Sequence, residues 1–78
     1  ESEFTKAVNL YEKGELNSAE KICVNIYKKT PHNFDNLRLL NFIYSKKEDY
    51  LNALNYINKA IKINPNFADA HVNRGNLL

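Results

Sequence analysis

Apolar residues recur along this chain in steps of three and four, the period of one helix face, without the alternation of strands. The first run is Phe4, Ala7, Val8 and Tyr11. Gly14, set among Glu12, Lys13 and Glu15, breaks it, so a helix is expected over residues 2–13. Leu16, Ala19, Ile22, Cys23, Ile26 and Tyr27 predict a second over 16–29. Lys28 and Lys29 fall in its last turn, where cations suit the carbonyl end of the dipole. Thr30-Pro31 stops it, because a residue before proline is pushed out of the α region. Leu37, Leu39, Leu40, Phe42, Ile43 and Tyr44 predict a third helix over 34–46, with Asp35 favourably placed in its first turn. This helix is apolar around most of its circumference, which implies burial on more than one side. Tyr50, Leu51, Ala53, Leu54, Ile57, Ala60, Ile61 and Ile63 predict a fourth over 50–63, ended by Asn64-Pro65. A fifth is expected over 67–78, capped by Asn66 and carrying Phe67, Ala68, Ala70, Val72, Leu77 and Leu78. The links between these segments are short and polar, which forces neighbouring helices antiparallel in an all-α fold.

Pro31 and Pro65 stand 34 residues apart, and each directly follows a helix. The same offset superposes Ala19 on Ala53, Cys23 on Ile57, Ile26 on Ala60 and Asp35 on Asp69. One unit carries Leu37, Leu40, Asn41, Tyr44, Ala53, Ile57, Ala60 and Pro65. The unit before it carries Ala7, Leu10, Ala19, Cys23 and Pro31, and the opening of another has His71, Arg74, Gly75 and Leu78. This period and pattern resemble those of tetratricopeptide repeat proteins over essentially the whole chain. The departures are Glu3 and Lys6, where that family prefers large apolar residues, and Asn41, where it prefers a small one. The resemblance implies a right-handed superhelical α-solenoid of antiparallel helix pairs, five helices in all. Its units would be residues 1–33, 34–67 and the truncated 68–78. Ala19 and Ala53 are then the small residues that let two helices of a unit approach, with Leu40, Tyr44 and Ile57 filling the space around them. A unit of this kind buries its apolar surface only by stacking on neighbours.

Composition narrows the function. The 78 residues are 44% hydrophobic and 26% charged, which suits a globular chain and not a disordered one. A net charge of +2 supplies no basic stripe for a nucleic-acid partner. No apolar run approaches the roughly 20 residues of a membrane span. One cysteine makes no internal disulfide, which fits a reducing compartment, and a cytoplasmic location is expected. Both ends look cut: Glu1 opens directly into a periodic helix, and Leu77-Leu78 closes without a stop signal, so a fragment of a longer chain is expected.

Catalytic and metal chemistry find no constellation. Cys23 has no local base and occupies an apolar register position, so core packing is expected of it. His32 and His71 have no ligand-spaced companions; His32 is expected to be solvated in a link and His71 to pack. The two glycines are too far apart for a phosphate loop, with Gly14 a helix terminator and Gly75 a close-packing site. No enzyme activity, metal or cofactor is expected.

What remains is a groove. The resemblance implies that the first helix of each pair lines a concave face, at Phe4, Val8 and Tyr11 in one unit, Asp35, Arg38, Phe42 and Ser45 in the next, and Asp69, Val72 and Asn76 in the last. Each set shares one helical face by spacing. A protein or peptide partner is expected there, and the alternative is that Phe4 and Phe42 simply pack on a neighbouring helix. The family's carboxylate-gripping clamp is not expected, since its places hold Phe4, Val8, Leu39, Asp69 and Asn73. Asn73 matches the asparagine ladder of arrays attached to O-linked N-acetylglucosamine transferases, but Thr5 and Leu39 do not continue it. Two other roles stay open: a substrate-recognition arm of a larger glycosyltransferase or sulfotransferase, and self-association through an uncovered last helix bearing Val72, Leu77 and Leu78.

Overall fold

The computed structural model describes residues 2–66 and places four α-helices in them: α1 (Glu3–Glu12), α2 (Leu16–Lys29), α3 (Phe34–Lys46) and α4 (Tyr50–Ile63). The five-helix expectation is thereby reduced to four among the described residues, because the fifth, at 67–78, lies outside them. The last three helices begin and end where the sequence places them. The first is shorter by a residue at each end, since Ser2 and Lys13 are its caps. Ser2 Oγ accepts the Thr5 amide at 3.1 Å, and Asn33 Oδ1 accepts the Asn36 amide at 3.1 Å at the start of α3. Each satisfies an amide that the helix cannot bond internally.

Links of three or four residues make successive helices antiparallel, with α1 against α2, α2 against α3 and α3 against α4, while α3 also touches α1. The breadth of the apolar surface on α3 follows from that central position: Leu37, Leu39, Leu40, Ile43 and Tyr44 are all buried. Ala7, Ala19, Cys23, Ala53, Ile57 and Ala60 complete the core from the other three helices. Small residues at Ala7, Ala19 and Ala53 keep the helices close, and the larger residues pack around them.

The bonds that close the helix ends repeat at a stride of 34 residues. The amides of Lys13, Gly14 and Glu15 donate to the carbonyls of Asn9, Tyr11 and Leu10, and those of Lys47, Glu48 and Asp49 to Ile43, Ser45 and Tyr44. The last two bonds of each set are the paired 5→2 and 6→1 bonds of a Schellman ending, which needs a left-handed residue just past the helix. Gly14 meets that need at φ 85°, and Glu48 meets it at φ 61° despite its side chain. Thr30 and Asn64 likewise donate to Ile26 and Ala60 at the ends of α2 and α4.

Candidate binding cleft

α1 and α3 lie alongside each other with a shallow cleft of about 300 Å³ between them. Phe4, Val8, Tyr11 and Glu12 line it from α1, and Asp35, Arg38, Leu39 and Phe42 from α3. Both sets follow the helical steps of three and four, so one stripe of each helix faces the gap. The floor is apolar. Phe4, Val8 and Tyr11 pack partly on the core beneath, and the Tyr11 and Phe42 rings meet across the cleft with centroids 6.4 Å apart and planes at 36°.

Charges stand at the rim. The Arg38 guanidinium lies 6.0 Å from the Phe34 ring centroid and 5.8 Å from that of Phe42, one turn to either side. Attraction of the cation to both ring faces restrains the arginine stem along the helix. Burial raises the Tyr11 hydroxyl above its usual value, so it stays protonated and able to donate a hydrogen bond at neutral pH.

Of the residues singled out from the sequence, Phe4, Val8, Tyr11, Asp35, Arg38 and Phe42 are brought together here. Ser45 is half-buried further along α3 and does not line the cleft. Asp69, Val72 and Asn76 lie outside the described residues. Glu12 and Leu39 complete the lining and were not anticipated, although their signal was present: Glu12 is eight residues after Phe4 and Leu39 four after Asp35, on the same faces.

A polar cluster elsewhere ties α2 to the far end of α3. Tyr44 Oη donates to Glu20 Oε2 at 2.7 Å, while Lys47 Nζ donates to Glu20 Oε1 and, at 2.9 Å, to Asn17 Oδ1. The bond from Lys47, helped by that from Tyr44, holds the Glu20 carboxyl below the usual carboxylate range against the opposing effect of burial. Burial first, and then the bond to Glu20, pushes the Tyr44 hydroxyl well above its ordinary value. Tyr44 also stacks on Tyr56, with planes 3° apart and centroids 5.6 Å apart, and Tyr56 meets Tyr27 edge-on at 5.4 Å. No spacing rule announced this cluster, whose bonded partners are 24 to 30 residues apart.

The Cys23 thiol is fully buried, and burial pushes it up to about 12. His32 is exposed in the turn after α2, and His71 lies outside the described residues. Among the described residues no three His, Cys, Asp or Glu side chains converge as metal ligands, and no helix is long and apolar enough to cross a membrane. No family model matches the chain, and no curated protein is similar enough to stand as a relative.

Proposed function

We propose that this chain is a non-catalytic protein-interaction module of the tetratricopeptide type, holding a segment of a partner protein in the cleft between α1 and α3. The observation that carries the reading is the cleft's composition: half-buried Phe4, Val8, Tyr11 and Phe42 at its floor, with Glu12, Asp35 and Arg38 around them. Covering such aromatic surface with a partner's apolar side chain gains about 25 cal/mol per Å² removed from water. The charged rim then gives orientation and discourages wrong partners.

Helix endings that recur every 34 residues support the array half of the reading. In a right-handed superhelical stack, residues 1–33 and 34–67 are successive units and 68–78 begins another. Asp69, Val72 and Asn76 would then extend the same lining beyond Phe42. A recognition arm of a larger transferase would use the cleft in the same way, with chemistry supplied by another domain.

The test is a partner captured with the intact protein, titrated against wild type and against the double variant Phe42→Ala, Arg38→Ala. Loss of an aromatic anchor and its neighbouring cation should weaken binding at least about tenfold, the range of an interface hot spot. Equal affinity for both proteins, with helicity unchanged by circular dichroism, would dispose of the cleft as the binding surface.

A further inference from the structure

Charge is distributed unevenly along the two second helices of the pairs. From Lys21 to Phe34 there are Lys21, Lys28, Lys29 and His32 and no carboxylate, and from Tyr50 to Asn66 there are Lys59 and Lys62 and no carboxylate. The fold brings part of these two stretches together. His32, Lys59 and Lys62 line one cleft of about 370 Å³ with Tyr27, Pro31 and Ile63, and it shares no residue with the cleft between α1 and α3.

Among the described residues no carboxylate pairs with the lysines of this cleft. Lys29 and Lys47 have Glu3 and Glu20 as partners, whereas His32, Lys59 and Lys62 have neither ion pair nor hydrogen bond among the described residues. The dipole of α4 accounts for Lys62 in its last turn, but not for Lys59 a turn earlier or His32 outside any helix. Lys59 and Lys62 also share a face at a spacing of three, where like charges repel. The rest of the lining is apolar, and Ile63 at its edge is 41% exposed.

We infer that this second cleft docks an acidic segment of a partner protein, one in which carboxylate side chains flank an apolar residue. The carboxylates meet Lys59, Lys62 and His32, and the apolar residue rests on Tyr27, Pro31 and Ile63. Two lysines and an imidazole beside an apolar strip suit such a peptide better than a nucleic acid, whose phosphates need a longer basic track.

The probe is a synthetic pentapeptide of alternating Asp and Leu, titrated calorimetrically into the 78-residue chain at low salt, with a Lys-Leu peptide as control. The acidic peptide should bind, the basic one should not, and amide NMR shifts should concentrate at Tyr27–His32 and Lys59–Ile63. Reversing the charges of half-buried Lys59 and exposed Lys62 by Lys59→Glu with Lys62→Glu should weaken binding roughly tenfold. Lys13→Glu with Lys46→Glu makes the same change in net charge elsewhere, and should leave affinity within about twofold once exposed charges are screened by distance. Phe42→Ala with Arg38→Ala should also leave it, which separates this cleft from the first. If a charge variant loses its helical circular dichroism, Lys59→Gln with Lys62→Gln replaces it with the same expected direction. Equal weakening by both charge variants, or displacement of the peptide by heparin at matched charge, would mark a nonspecific electrostatic surface and overturn the inference.

Discussion

The side-chain amide of Asn41 donates a 2.9 Å hydrogen bond to the carbonyl oxygen of Ala53, across the buried crossing of α3 and α4. A second asparagine on the same helix does the equivalent on its other side: Asn36 Nδ2 reaches the carbonyl of Cys23 on α2 at 2.9 Å. A carbonyl has two lone pairs, so each can serve its own helix and still accept a cross-helix donor. Residue 7, which is 34 places before Asn41, is a fully buried alanine. The crossing thus accepts either a small side chain or one that turns its polarity into a bond between helices.

Asn41→Ala should therefore cost about 1–2 kcal/mol, from the lost bond and the small void. Asn41→Asp should cost more than about 3 kcal/mol, because it buries a charge against a carbonyl oxygen. Ala53→Leu overpacks the same crossing and should cost about 1–3 kcal/mol. Urea denaturation measures all three, and an unchanged midpoint for Ala53→Leu would mean the crossing is misplaced.

The two left-handed positions invite opposite substitutions. Gly14 has φ 85° and open space around it, so Gly14→Ala incurs only backbone strain, about 1 kcal/mol of destabilisation. Glu48 adopts φ 61° with a side chain attached, and Glu48→Gly should stabilise by up to about 1 kcal/mol. Thermal midpoints moving the same way for both variants would contradict this account.

Cys23 should be inert while the protein is folded. Its thiol rises from an ordinary 9.0 to about 12 through burial, so thiolate is scarce at neutral pH and the sulfur is sealed from reagents. The unfolded chain ionises this thiol near its ordinary value and the folded chain does not. The contribution to stability is thus complete below pH 9 and is lost as pH rises toward 12. A disulfide reagent should label Cys23 slowly in buffer and rapidly in denaturant; fast labelling of the native protein would contradict its burial.

Glu20 carries the acid side of the pH response. Its folded carboxyl is held below the unfolded value, chiefly by the bond from Lys47, so its contribution is present above the ordinary carboxylate range and disappears as pH falls through the folded value. Glu20→Gln should flatten the acid limb of a stability profile and lower stability at neutral pH by roughly 1 kcal/mol, the scale of a partly exposed ion pair with a supporting hydrogen bond. A variant whose acid limb matches wild type would show that Glu20 does not link α2 to α3.

The sequence alone determined the four helices of the described residues, because helical periodicity, Gly14 and the two Thr/Asn-Pro stops are local signals, read without knowing what packs where. Spacing alone also placed Phe4, Val8 and Tyr11 on one stripe and Asp35, Arg38 and Phe42 on another. That these stripes border one cleft, while Ser45 stays apart, depended on how α1 lies beside α3. Tertiary packing alone decided the roles of Asn36, Asn41 and the Glu20–Tyr44–Lys47 cluster. A buried amide N–H or a half-buried carboxylate is stabilised where a distant partner meets it, and no local pattern states which partner the fold will supply.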